Sequence, residues 1–238
     1  MSGLYYGIQT IRQLMPVTSE KSKGLAKRLK FQIMEIEDSP RFKWRAFMLD
    51  EARYFYGEEF VKLLLDQMAS IKMNVFHWHL IDDAGWRIEI KKYPQLVEIG
   101  SRRADLPWND WQGKEKESTP VYIGYCTQED IKEIVAYAES RFVTVLHEIE
   151  MPGHSEAALQ CYPEYTCDGK DSSGVFCAGN GGTFEFLQHI IAEVVDLFPN
   201  ESLHVCVDEV GKDARLLRIY FKQRRQYEQR QEGEGLES

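Results

Sequence analysis

Two adjacent acids, Asp208 and Glu209, end a short apolar stretch, Leu203 to Val207, and are followed by Val210-Gly211. Neighbouring residues of a regular strand point to opposite faces, so the pair can serve one ligand only where the strand is ending. Hydrolysis of an acetal needs that equipment: one carboxyl group of raised pKa to protonate the leaving oxygen, and a second carboxylate to stabilise developing positive charge. Acidic pairs are also common on solvated surfaces, and only the position after an apolar strand favours the catalytic reading. His154 follows Pro152-Gly153 at the end of another apolar run. A histidine there can orient or tune a carboxylate, or simply sit in a loop.

A second constellation is His77-Trp78-His79 followed by Asp82-Asp83. Alternate strand residues share a face, so the two histidines point the same way. A His-x-His pair on a barrel strand can hold zinc, with His154, His204 and Asp208 as further ligands; buried hydrogen-bonded histidines are the commoner outcome. Arg53, in Asp50-Glu51-Ala52-Arg53, presents a guanidinium fork suited to two sugar hydroxyls or to a neighbouring acid. Trp86, Trp108 and Trp111 lie in or beside a long loop, where indole faces suit sugar rings or pack the loop itself.

The elements that must position these groups alternate. Strands are expected at 45–50, 73–81, 142–149 and 203–207, and helices at 58–71, 127–141, 183–198 and 213–229. The helix at 58–71 shows apolar spacing through Phe60, Val61, Leu64, Leu65, Met68 and Ile71, and Thr127 is a candidate N-cap with Asp130 three residues on. Four β/α units of this kind imply a parallel sheet covered by helices, with the ligand site at the carboxyl ends of the strands. The expected fold is therefore α/β, a (β/α) barrel that is incomplete, since closure needs eight units. Long insertions at 83–126 and 151–182 take up the remaining length. Residues 1–230 read as one partial barrel domain and 231–238 as a polar, disordered tail.

Composition narrows the partners. Of 238 residues, 43% are hydrophobic and 28% charged, enough apolar side chain for one sizeable core. A net charge of -9 argues against nucleic acid as a partner. No apolar run approaches the roughly 18 residues that cross a bilayer, and the first residues lack a basic region followed by an apolar stretch, so neither a membrane role nor a signal peptide is expected and no compartment is assigned. Five cysteines with no C-x-x-C pair argue against a zinc site built on them. Cys161, Cys167 and Cys177 share one loop-like segment, where either a disulfide or free thiols would fit.

Five segments in order resemble glycoside hydrolase family 20, the β-N-acetylhexosaminidases: Gly-Leu-Tyr-Tyr-Gly-Ile-Gln-Thr at 3–10, Trp-Arg-Ala-Phe-Met-Leu-Asp-Glu-Ala-Arg-Tyr-Phe at 44–55, Lys-Met-Asn-Val-Phe-His-Trp-His-Leu-Ile-Asp-Asp-Ala-Gly-Trp-Arg at 72–87, Glu-Ile-Glu-Met-Pro-Gly-His at 148–154 and His-Val-Cys-Val-Asp-Glu at 204–209. The resemblance implies removal of terminal N-acetylglucosamine or N-acetylgalactosamine from glycans by substrate-assisted retaining hydrolysis, in which the substrate's own acetamide oxygen attacks. It implies Glu209 as general acid/base, Asp208 as the residue orienting the acetamido group, Asp82 and His154 as the network tuning the acid, and Arg53, Glu150 and Trp86 as substrate contacts. No metal or other cofactor is required. Departures from the family pattern are Cys206 and Val207 where two glycines are usual, His147 for a proline, Glu150 for an aspartate, and the second half of the barrel. They imply either a half barrel, encoded as a fragment or completed by self-association as a homodimer, or a non-catalytic remnant that binds aminosugars or a partner protein.

Overall fold

A computed structural model describes residues 2–15, 33–104, 121–167, 174–199 and 202–206. In chain order its elements are α1 (Ser2–Gln13), β1 (Ala46–Asp50), α2 (Glu58–Ser70), β2 (Val75–His79), β3 (Ile81–Asp82), β4 (Gly85–Trp86), α3 (Gln95–Glu98), β5 (Arg102–Ala104) and β6 (Val121–Ile123). They continue with α4 (Gln128–Glu139), β7 (Thr144–Glu150), α5 (Glu156–Cys161), α6 (Gly181–Leu197) and β8 (His204–Cys206). The four expected strands form one parallel sheet in the order β1-β2-β7-β8. The expected helix at 213–229 and the tail at 231–238 lie outside the described residues.

The register explains how one sheet serves two purposes. Asp50, His79, Glu148 and His204 lie side by side across the four strands, and Glu150 lies beside Cys206. Alternation puts all of these on one face, with Met48 and His77 below them. The opposite face carries Phe76, Trp78, Val145 and Ile149, all buried against Val61 and Leu65 of α2, Ile131 and Ile134 of α4, and Ile190 of α6. The sheet is thus apolar towards its helices and polar on its other side. Among the described residues β1 pairs only with β2 and β8 only with β7. Phe47 and Met48 of β1 and Phe60 and Leu63 of α2 are exposed.

Local sequence sets the helices. Glu58 and Glu59 in the first turn of α2 complement the helix dipole, and Val61, Leu65, Met68 and Ala69 form its buried stripe. Lys62 joins α2 to α4 by pairing with both Glu58 and Glu133. Thr127 caps α4 through a capping box: its hydroxyl accepts from Asp130 N–H at 3.2 Å, and Asp130 Oδ2 accepts from Thr127 N–H at 2.7 Å. Thr127→Ala is expected to lower stability by about 1 kcal/mol, read as a fall in Tm. A Tm unchanged within error would mean that packing of Ile131, Ile134 and Ala138 holds the helix without its cap.

The insertions contain more structure than the sequence suggests. Within 83–126 lie the β4 strand of the β3–β4 hairpin, the short α3 and the β5–β6 pair; within 151–182 lies α5. Residues 3–10, legible only as a motif, belong to α1, whose Tyr5 ring packs on Phe142 at 5.1 Å and whose Gln13 donates to the Ser70 carbonyl at 2.8 Å. Cys167 and Cys177 form a disulfide, while Cys161 stays a buried thiol donating to the Ala157 carbonyl. No described helix is long and apolar enough to cross a membrane.

Candidate active site

The carboxyl ends of β1, β2 and β7 gather acids and bases around Arg53. Asp50 is the last residue of β1, and the chain turns there because the N–H groups of Glu51 and Ala52 both donate to the His79 carbonyl, at 2.9 and 3.0 Å. The turn is backed by Glu51, which is fully buried. Its carboxylate accepts from the Trp78 indole at 2.6 Å and from the N–H groups of Tyr56 and Gly57 at 2.8 and 2.9 Å. Arg53 then projects between two acids. One guanidinium nitrogen lies 2.9 Å from Asp50 Oδ2 and the other 2.8 Å from Asp82 Oδ2.

His79 sits inside a ring of carboxylates, 3.5 Å from Asp50, 3.6 Å from Asp82 and 3.2 Å from Glu150. Neither ring nitrogen makes a hydrogen bond of good geometry among the described residues, so the ring is held by charge. Burial opposes that charge, but Asp50 and Glu150 outweigh it and raise the imidazole to about 10. Asp50 moves the other way. Burial would raise it, yet His79 and the Arg53 N–H bring it down to about 2. For Asp82 burial wins: despite Arg53 and His79, its carboxyl is raised to about 6.

His154 adopts φ +48°, a left-handed conformation uncommon for a residue with a side chain and frequent at functional sites. Its Nδ1 lies 3.2 Å from Asp83 Oδ2 and 3.9 Å from Asp82 Oδ1. Asp83 also accepts from the Glu156 N–H at 3.0 Å, which joins the His154 loop to the start of α5. The nearer carboxylate to His154 is therefore that of Asp83, with Asp82 next.

Of the sequence-predicted site residues, Arg53, Asp82, Glu150 and His154 come together here. Asp208 and Glu209 lie outside the described residues, as do Trp108 and Trp111; Asp208 and Glu209 follow β8 by one intervening residue in the chain. Trp86 is a correction. It is 4% exposed in the hydrophobic core, with its indole N–H donating to the Ile88 carbonyl at 2.7 Å, so its faces pack protein and are not presented to a sugar. Sequence reasoning gave no role to Asp50 or Glu51 and considered His79 as a metal ligand or as a buried, hydrogen-bonded histidine. The signal for Asp50 was its place as the last residue of an apolar strand. The histidines weighed as one zinc centre take different carboxylates: His79 with Asp50, Asp82 and Glu150, His77 and His204 with Glu148, and His154 with Asp83.

His147, noted for replacing a proline, faces the helices. It is buried, stacks on Phe198 at 5.0 Å between ring centroids, and is held neutral by burial, which brings its pKa down to about 3. A cavity of about 430 Å³ bordered by Trp44, Val143, Thr144, Leu146, Pro199 and Ser202 opens at the amino ends of the strands, away from the acids.

The arrangement can bind a polyhydroxylated ligand through a fixed guanidinium and hold a carboxyl that titrates near neutrality next to a histidine. Comparison with known proteins places it. Residues 42–235 match the model of "Glycosyl hydrolase family 20, catalytic domain". The chain is 43% identical over 220 residues to a beta-hexosaminidase of Porphyromonas gingivalis, covering 89% of this chain and 27% of that protein. Among solved structures it is similar to the β-N-acetylhexosaminidase of Bacteroides fragilis (TM-score 0.72, 41% identity, 88% of this chain and 39% of that one). It is also similar to the enzyme of the same name from Streptomyces coelicolor A3(2) (TM-score 0.79, 34% identity, 92% and 44%). The chain thus spans less than half the length of each of these relatives.

Proposed function

The chain belongs to glycosyl hydrolase family 20, and from that premise we propose that its residues 1–230 are the amino-terminal half of a β-N-acetylhexosaminidase barrel, acting on terminal N-acetylglucosamine or N-acetylgalactosamine. In this reading Arg53 forks onto the hydroxyls of the terminal sugar, with Glu150 as a further polar contact. Asp208 orients the 2-acetamido group so that its oxygen attacks the anomeric carbon, and Glu209 protonates the leaving oxygen and later takes a proton from water. Asp82 and His154 tune that acid. The observation that carries the reading is Arg53 fixed between Asp50 and Asp82 at 2.9 and 2.8 Å, at the strand ends that parallel α/β folds use for ligands. A guanidinium held by two carboxylates is preorganised and loses little freedom on binding.

We propose that the chain self-associates through the β1 edge, where Phe47 and Met48 are exposed. Sedimentation should show a dimer; a monomer at every concentration counts against it. Cys206 and Val207 in place of two glycines favour a second reading, a non-catalytic remnant that binds aminosugars. Assay of a chromogenic N-acetylglucosaminide separates the two. Turnover that depends on Glu209 supports the hydrolase, and its absence, with binding retained, supports the remnant.

A pH dependence follows from Asp82. Its carboxyl titrates at about 6, so below that pH it progressively loses the negative charge that holds Arg53. Affinity for N-acetylglucosamine is expected to fall as pH drops from 7 to 5 and to be flat over that range in Asp82→Asn. Calorimetric titration checks this, and an unchanged slope in the variant assigns the dependence to another group.

A further inference from the structure

On the polar face of the sheet, beside the ring around Arg53, lies a second cluster that the glycosidase reading does not use. Its members come from three neighbouring strands: His77 of β2, Glu148 of β7 and His204 of β8. His77 Nε2 is 2.8 Å from Glu148 Oε2, and His204 Nδ1 is 2.8 Å from Glu148 Oε1. The imidazole rings are 4.9 Å apart and inclined by 50°. One ligand atom from each residue lies within 4.8 Å of the other two. Glu148 is almost fully buried at 6% side-chain exposure, while His77 and His204 keep 18% and 41%.

One feature is unusual for a simple hydrogen-bonded trio. His204 Nδ1 is buried and makes no hydrogen bond among the described residues, although a carboxylate oxygen stands 2.8 Å away. The ring is brought up to the carboxylate but not aligned on it. A buried nitrogen in that state is short of one partner, and a cation between the two groups would satisfy both. Two imidazole nitrogens and a carboxylate oxygen are a zinc-type donor set, with a fourth position left for water or another side chain. Imidazole selects zinc, cobalt or nickel over magnesium and calcium, which prefer oxygen. Cys206, next along the same face of β8, forms a neighbouring group with Glu148 and Glu150 and adds a soft donor at the edge of the site.

We propose that His77, Glu148 and His204 form a binding site for one divalent transition-metal ion of the zinc class. The ion sits between three strands, so it ties β8 to β2 through β7. None of these three ligands is among the residues assigned to the sugar chemistry.

The test uses the full chain, stripped with a chelator and dialysed, titrated with zinc chloride by calorimetry and followed by thermal unfolding. The expected result is one equivalent bound at micromolar or lower Kd, a higher unfolding midpoint, and no competition from excess magnesium. His77→Ala and the near-isosteric Glu148→Gln should each weaken zinc at least about tenfold, with far-UV circular dichroism confirming that the variants are folded. His189→Ala, at a histidine that contacts Lys92 and Tyr93, should bind as the parent does. Absence of zinc binding at 100 micromolar, binding that survives Glu148→Gln in a folded chain, or equal competition by magnesium would each overturn the proposal.

Discussion

Glu209→Gln is expected to lower turnover of a chromogenic N-acetylglucosaminide by about 10²- to 10⁴-fold, the range that a positioned general acid/base contributes. Glutamine keeps the size and the hydrogen-bonding shape of the side chain but has no proton to give to a leaving oxygen. The loss should fall on kcat and leave KM nearly unchanged, since the residue acts on charge that develops in the transition state. It should also depend on the leaving group. A nitrophenolate departs with little help, whereas a sugar alkoxide needs the proton, so the defect on a disaccharide should be the larger. A variant that keeps half the parental rate on a disaccharide would place the acid elsewhere and with it sink the assignment of the Asp208-Glu209 pair.

Arg87→Ala is expected to cost about 3–5 kcal/mol of stability, a large fraction of the margin of an ordinary domain. Arg87 is 0% exposed. Its guanidinium donates twice to the Ala52 carbonyl, at 3.2 and 3.1 Å, and to the carbonyls of Ser101 and Gly124. It also stands over the Tyr122 ring at 5.4 Å. Burial lowers its pKa to about 10, which leaves it charged at neutral pH. Truncation removes the charge and strands three carbonyls that no longer meet a donor, each worth roughly 1–3 kcal/mol if water cannot reach it. The effect should spread to function, because Ala52 immediately precedes Arg53. Arg87→Lys keeps the charge but not the fork, so it should recover only part of the loss. Chemical denaturation measures both; a change below 1 kcal/mol for Arg87→Ala would mean that water fills the vacated space and satisfies the carbonyls.

How far the molecule was legible from its sequence differs from element to element. The four strands fell within a few residues of their expected limits, and Thr127 caps α4 as its spacing with Asp130 indicated. Both depend on patterns within one segment, and such patterns survive folding. Trp86 illustrates the opposite case. An indole beside a loop reads the same whether it lines a cleft or fills a core, and the choice was made by other segments: the Trp86 backbone N–H donates to the Gly100 carbonyl and α5 packs on β4. The pairing of His154 with Asp83 turned on a left-handed backbone at His154 and on the start of α5, neither of which has a local signature. The same holds for α1 and α5, which are too short or too weakly apolar to stand out.

Sequence alone determined the alternation of strands and helices, the family, and the placing of Arg53, Asp82, Glu150 and His154 at strand ends, because alternation and termination are properties of contiguous residues. Only the tertiary structure decided which acid meets which base: His79 among Asp50, Asp82 and Glu150, and Glu148 between His77 and His204. The physical reason is register. Period-two alternation assigns a side chain to a face, but how far each strand slides against its neighbour is set by the packing of α2, α4 and α6 behind the sheet, and that sliding selects the carboxylate each imidazole reaches.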